Sequence, residues 1–328
     1  MNSLITSLPI KIQAPDPLIE HRDKLMLIGS CFSEHMGKRL ADAKFDVLEN
    51  PHGILFNPLS VCHSISQYIH NAQAEDSRFA YLNETWNHWD FHSRFSALEK
   101  EHAATLMSDS IRLGHDFLQQ ADWLMITLGS AFQYFLKEGA VPVANCHRAP
   151  GQLFDKKLLS IEAISTALQE TIEALHSFNP KLKIIFTISP VRHVRDGVVE
   201  NNRSKARLIE AVHAMTDLFP HCFYFPAYEL LIDVLRDYRY YDIDLVHPNF
   251  AATQVVWDQF TAHFFSVICR KTAEDMQALS TARHHKVRFS ETQAYTRFKD
   301  NFYAKVMDYE QQYPYINFGE EKEYFKPE

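Results

Sequence analysis

Apolar and polar positions follow two alternating periods along most of the chain. The short apolar run Leu25-Met26-Leu27-Ile28 passes through Gly29 into Phe32, Met36 and Leu40, which recur at helical spacing. This predicts a buried strand near 24–28 followed directly by an amphipathic helix. The same sequence of events recurs. Strands are expected at 45–48, 123–128, 183–188 and 222–225. Helices are expected at 59–72, 102–120, 160–177 and 202–218. A last helix should open at Pro248, where a missing N–H is tolerated, and bury Phe250, Val256, Trp257, Phe260, Phe264 and Val267. Strands that alternate with helices of this length predict an α/β fold with a mostly parallel sheet covered on both faces. Two stretches break the rhythm. Residues 75–99 read as an excursion or small hairpin, and 132–154 as a hairpin or loop. Beyond residue 270 the pattern becomes charged and helical, so the expected organisation is a main domain over 1–270 and a helical C-terminal extension over 271–328.

Composition narrows the class. Of the 328 residues, 46% are hydrophobic and 23% charged, a globular profile with a full core. A net charge of −8 argues against nucleic acid or an anionic membrane as partner. No apolar run is long enough to span a bilayer, and the first residues lack a secretory pattern. The 5 cysteines are scattered with no CxxC pair, so neither a disulfide framework nor a thiolate metal site is expected. The natural inference is a reducing, cytoplasmic setting that keeps Cys31 free. Although the chain holds 18 histidines, HExxH is absent, and neither a metal nor another cofactor is expected.

The candidate chemistry sits at the ends of the expected strands, where open parallel sheets bind ligands. Gly29 suits a sharp turn, Ser30 an N-cap, and Cys31 the first helical turn. There, free N–H groups and the helix dipole should ease ionisation of the thiol. The plain alternative is that Cys31 is a small buried hydrophobe. In the same expected plane lie Gly53 and Asn57, Gly129 and Ser130, and Arg192 and His193. Asp244-Leu245-Val246-His247 precedes the last helix. Asp244 can accept from one nitrogen of His247 and leave the other to take a proton, or simply cap a turn while His247 packs.

Gly29-Ser30-Cys31-Phe32-Ser33 resembles the signature of the GSCFA family, which looks like an offshoot of the SGNH/GDSL hydrolase superfamily. Asn50-Pro51-x-Gly53, Phe56-Asn57-Pro58, Ser189-Pro190-Val191, Asn202-Arg203-Ser204-Lys205-Ala206 and Asp244-x-x-His247-Pro248 are similar to that family in the same order. The resemblance implies a three-layer α/β/α sandwich and ester hydrolysis or acyl transfer. It places the nucleophile on Cys31, with Ser30 as rival, the acid and base on Asp244 and His247, and an oxyanion glycine on Gly53. The superfamily's Gly-x-Asn block is met by Gly129-Ser130-Ala131, which lacks the asparagine. Asn57, Ser130 or Asn145 is then the candidate replacement donor.

The expected reaction is attack by Cys31 on a small-molecule or carbohydrate ester, with His247 as base and His193 as its competitor. Arg148, Arg192, His193 and Lys205 would supply positive charge. The alternatives are a catalytically inactive binding or scaffold protein on the same fold, an O-acyltransferase, and a metal-dependent hydrolase. A homo-oligomer is left open.

Overall fold

Every apolar run read as a strand enters one parallel sheet, because buried aliphatic side chains on both faces need helices on both sides. The structure is a computed structural model that describes residues 8–286 and 288–327. The elements are, in order, β1 (Lys24–Gly29), α1 (Cys31–Asp42), β2 (Asp46–Glu49), α2 (Pro58–His70), β3 (Phe79–Leu82), β4 (Thr85–His88), α3 (Lys100–Gln120) and β5 (Trp123–Leu128). There follow β6 (Phe132–Leu136), β7 (Val141–Val143), β8 (Phe154–Leu158), α4 (Ile161–Phe178), β9 (Lys183–Ile188), α5 (Val198–Leu218) and β10 (Cys222–Tyr224). A short α6 (Ala227–Glu229) runs on as π-helix over Leu230–Leu235. The chain ends in α7 (Phe250–Phe264), α8 (Val267–Arg283), α9 (Gln293–Gln312) and α10 (Gly319–Phe325).

The central sheet has the order β2-β1-β5-β9-β10, with all pairs parallel. The winding direction therefore reverses between β1 and β5. In such a sheet the crevice for a ligand opens outside the carboxyl ends of the two strands at that reversal. Alternation along the strands divides the core. Met26, Ile28, Leu124, Ile126, Ile184 and Phe186 pack against α2, α3, α4 and α5. On the other face, Leu25, Leu27, Trp123, Met125 and Ile185 meet Phe32, Met36 and Leu40 of α1 together with α7 and the start of α8. The result is the expected three-layer α/β/α arrangement with C-terminal helices added.

The two excursions are small antiparallel sheets. Residues 79–88 form the β3–β4 hairpin, and 132–158 form a three-stranded sheet in the order β7-β6-β8. The hairpin expected within 75–99 is thus β3–β4, and the expected hairpin over 132–154 extends through β8 into a third strand.

Other differences are local. Helix α5 starts at Val198 rather than Asn202. Pro248 is not the first residue of α7, because Asn249 is the cap, its Oδ1 accepting from the Ala252 N–H at 3.2 Å. Pro248 instead pairs with Tyr241 in an isolated antiparallel bridge. Phe250 and Val267, expected inside, are 76% and 87% exposed, since each opens a helix beyond the packed face. Helix α8 crosses residue 270. Cys269 and Ala273 belong to the main core, while Met276 and Leu279 join a separate cluster with α9 and α10.

Candidate active site

The turn after β1 is built around a backbone approach that excludes a side chain. At Gly29, φ is 143°, and a Cβ there would fall 2.2 Å from the Thr127 carbonyl oxygen of β5. The Gly29 N–H donates to Asn50 Oδ1 at 2.8 Å, tying the turn to the end of β2. Ser30 is the N-cap of α1, its Oγ accepting from the Phe32 N–H at 3.2 Å. Its side chain is buried and already serves the helix end. Cys31 follows as the first helical residue, half-buried and reduced.

The thiol departs from expectation. Burial, with the Glu34 carboxylate in the same helical turn, pushes Cys31 above the ordinary thiol range. The backbone N–H groups of Cys31 and Phe32 and the Lys205 ammonium act in the opposite direction and do not outweigh it. Desolvation of a thiolate is the larger effect here.

Asp244 both caps its turn and holds the histidine. Its Oδ1 accepts from the Val246 and His247 N–H groups at 2.9 and 3.0 Å, while its Oδ2 lies 2.6 Å from His247 Nδ1. Those hydrogen bonds hold the Asp244 carboxyl down at about 2. The pair is open to solvent, with side chains 45% and 47% exposed. Its loop is closed at the base by the Asp242 N–H, which donates to the His247 carbonyl at 2.8 Å. The Arg192 N–H donates to the Val246 carbonyl at 3.2 Å, pinning this loop to the one after β9.

Ser30, Cys31, Ser130, Arg192, His193 and His247 line one cleft of about 580 Å³. The β1/β5 reversal thus gathers six of the residues singled out in the sequence. Among the described residues, no hydrogen bond joins Cys31 Sγ to His247. His193 also reaches the cleft. Burial and the charge of Lys205 lower it to about 4, so it is neutral near pH 7. Its Nε2 has no partner among the described residues. Gly129 makes room for it: a Cβ there would lie 3.0 Å from that nitrogen.

The remaining candidates stand behind the wall. The Gly53 N–H donates to the Asn50 carbonyl at 2.7 Å, closing a tight turn at φ 80°, which leaves it no free donor for an oxyanion. Asn57 caps α2 through Oδ1, accepting from the Ser60 N–H at 3.0 Å. Asn145 Oδ1 accepts from the His147 N–H at 2.8 Å, next to β7 and away from the cleft. The amides of Gly129 and Ser130 both donate to the Phe56 carbonyl, at 2.7 and 3.0 Å. Ser130 Oγ accepts from the Phe132 N–H at 3.1 Å and shares a 3.3 Å hydrogen bond with Ser204 Oγ, in which either hydroxyl can donate.

Sequence reading missed the far wall. Phe132 and Tyr134 of β6 and Lys156 of β8 face the cleft, with Lys156 stacked 4.5 Å above the Phe132 ring and paired with Asp196. Their signal was the alternation within 132–136 and 154–158, of which the sequence reading made a hairpin or loop over 132–154 with no face assigned to the cleft. Ile54, Phe56 and Val246 complete an apolar lining beside the cations Arg192 and Arg195.

Among the described residues, no cluster of three or more His, Cys, Asp or Glu side chains is arranged to hold a metal, and no helix is long and apolar enough to cross a membrane. Curated proteins compared with the chain give no match. The model of the GSCFA family matches residues 24–260, and that of the GSCFA C-terminal domain matches 276–328. With most of its length matched in this way, the chain belongs to the GSCFA family.

Proposed function

We propose that the protein is an ester hydrolase in which Cys31 is the nucleophile, His247 the base and Asp244 the group that orients it. The observation that carries this reading is the Asp244 Oδ2 contact with His247 Nδ1, at the mouth of the cleft that holds Cys31. With Nδ1–H donating to that carboxylate, Nε2 is the nitrogen that accepts, which supports the base role.

In the reaction, the Cys31 Sγ–H proton passes to His247 Nε2 and sulfur adds to the ester carbonyl. The C–O bond to the alcohol then breaks, the alcohol leaves with the proton from His247, and water releases the acid. The Cys31 N–H, which has no intrahelical acceptor at this position, and the Ser130 hydroxyl are the donors offered to the oxyanion. Apolar walls beside Arg192 and Arg195 suit an aliphatic or aromatic acyl group on a polar or anionic alcohol, including a carbohydrate. With a hydroxyl in place of water, the same steps give acyl transfer. The likeness of the Gly-x-nucleophile and Asp-x-x-His motifs to SGNH/GDSL hydrolases supports the same chemistry.

The raised thiol favours one rival, a binding protein on this fold. The two readings separate by intact mass after iodoacetamide treatment, combined with turnover of short-chain aryl esters, on wild type, Cys31→Ser and His247→Ala. The hydrolase reading expects a single Cys31 adduct whose pH profile moves in His247→Ala, and ester turnover that both variants abolish. An unmoved profile with no turnover would leave the binding protein.

A further inference from the structure

Arg192 belongs to two cavities. It lines the cleft that holds Cys31 and also a second pocket of about 380 Å³, whose walls include Leu231, Asp233, Arg236, Tyr238 and Tyr241. The backbone fixes how the two cavities sit. Tyr241 pairs with Pro248 in an isolated bridge, and the Asp242 N–H donates to the His247 carbonyl at 2.8 Å. One closed loop therefore carries a wall of the second pocket, Tyr241, at its start, and Val246 and His247 of the cleft at its end.

Two features of this pocket are unexplained by the packing of the fold. The first is its backbone. Leu230–Leu235 is π-helical, and the Arg236 N–H donates to the Leu231 carbonyl five residues back at 3.1 Å. Arg236 then takes φ 42°, in the left-handed region where any residue but glycine is strained. Inserted π turns and strain of this kind gather at functional sites. The second is its charge. The Arg192 guanidinium makes no ion pair among the described residues. Aromatic faces hold it instead, with Cζ 4.3 Å from the Tyr241 ring centroid and 5.3 Å from that of Tyr238. Arg236 and Asp233 also make no ion pair among those residues. Asp237, the fourth charge, accepts from Arg239, which leaves its carboxylate further acceptor sites.

The pocket thus offers guanidinium donors and carboxylate acceptors in equal number, over the buried Leu231 and beside the exposed Tyr238 ring. Two carboxylates offset two guanidiniums, so no net field favours an anion. A polyhydroxyl ring needs both donors and acceptors, and its C–H face needs an apolar or aromatic wall. The volume lies within the range of small-molecule sites. We propose that this pocket is a carbohydrate subsite that takes a neutral pyranose ring, the alcohol part of the ester. This rests on the hydrolase reading. The acyl group lies in the cleft, Arg192 spans the junction, and the sugar leaves as the alcohol with the proton from His247.

The test is saturation-transfer NMR with the methyl α-pyranosides of glucose, galactose, mannose and xylose, on wild type, Tyr238→Ala and Arg236→Gly. At least one glycoside should receive transfer from wild type, and each variant should weaken its binding about tenfold. Tyr238 is exposed, and glycine suits the backbone at 236, so both variants should fold. No transfer to any glycoside, or equal binding in wild type and both variants, overturns the proposal. So does displacement of the bound glycoside by inorganic phosphate, which would mark an anion site. Turnover of aryl esters without glycoside binding keeps the hydrolase and removes the subsite. Glycoside binding without ester turnover keeps a sugar pocket and removes the hydrolase. Where both occur, Tyr238→Ala should raise KM for the O-acetylated form of the bound glycoside about tenfold at unchanged kcat, the mark of lost uniform binding. An unmoved KM overturns the pocket's role as the alcohol subsite.

Discussion

Two polar groups flank Cys31, and they are built in opposite ways. Asp244 and His247 stand on an exposed loop, each about half open to solvent, and hold one another through a side-chain contact and two backbone hydrogen bonds. Asn201, Ser204 and Lys205 lie buried on one turn of α5 and hold backbone groups of other elements. Water solvates the first group, so its interactions add little to stability and its members are free to exchange protons. The second group is desolvated, so each hydrogen bond matters to the fold and each unpaired charge is strained. On the proposed hydrolase reading, the exposed pair is the one that moves protons and the buried turn is the one that fixes placement.

The sharpest way to break this contrast is His247→Ala. If the exposed pair serves chemistry alone, ester turnover should fall roughly 10³–10⁴-fold, while the melting temperature, followed by circular dichroism, stays with wild type. A drop in melting temperature of several degrees would place His247 among the structural groups.

Lys205→Met probes the buried side with the opposite signature. The folded protein holds Lys205 at about 7, whereas the unfolded chain binds that proton up to about pH 10.4. Stability is therefore lowered fully below pH 7 and recovers as pH rises toward 10. Replacing the lysine with methionine should raise stability by about 2–4 kcal/mol at pH 6–7, with the gain shrinking by pH 10. Urea melts across that range would show it, and a pH-independent change would point to packing instead.

A smaller effect is expected from Ser204→Ala, which strands the buried Ala131 N–H. It should lower stability by about 1–2 kcal/mol and disturb the Ser130 hydroxyl, read as a lower kcat at unchanged Cys31 alkylation. Smallest is Ser30→Ala. Loss of the N-cap should lower stability by about 1 kcal/mol while Cys31 still alkylates. If Ser30→Ala abolishes ester turnover with Cys31 labelling intact, Ser30 becomes the nucleophile.

The legibility of these parts follows the same division. Asp244 and His247 were readable because both partners lie within four residues, and a turn closed by an aspartate brings such neighbours together whatever the rest of the chain does. Ser30 was readable as a cap for the same reason. The state of the Cys31 thiol was not. Local sequence supplies the helix N-terminus that lowers it, but burial and Glu34 win, and burial is the work of elements far away in sequence. Gly53 was misjudged for a related reason. Its φ and its turn could be anticipated, but its N–H is taken by the Asn50 carbonyl, a partner that leaves no composition signal. The far wall at Phe132, Tyr134 and Lys156 was hidden because a small antiparallel sheet with both faces partly wet carries a weak alternation.

The sequence by itself determined the layered α/β plan, the strand-to-helix turn at Gly29 and the Asp244–His247 pairing, because periodicity, capping and short-range turns are local physics. Only the tertiary structure decided the strand order, and with it the crevice at the β1/β5 reversal where Cys31, Ser130, His193 and His247 meet. It also decided that Lys205 is buried beneath that crevice rather than solvated. Both depend on which distant surfaces exclude water from which side chains, and desolvation has no expression in the residues immediately before and after.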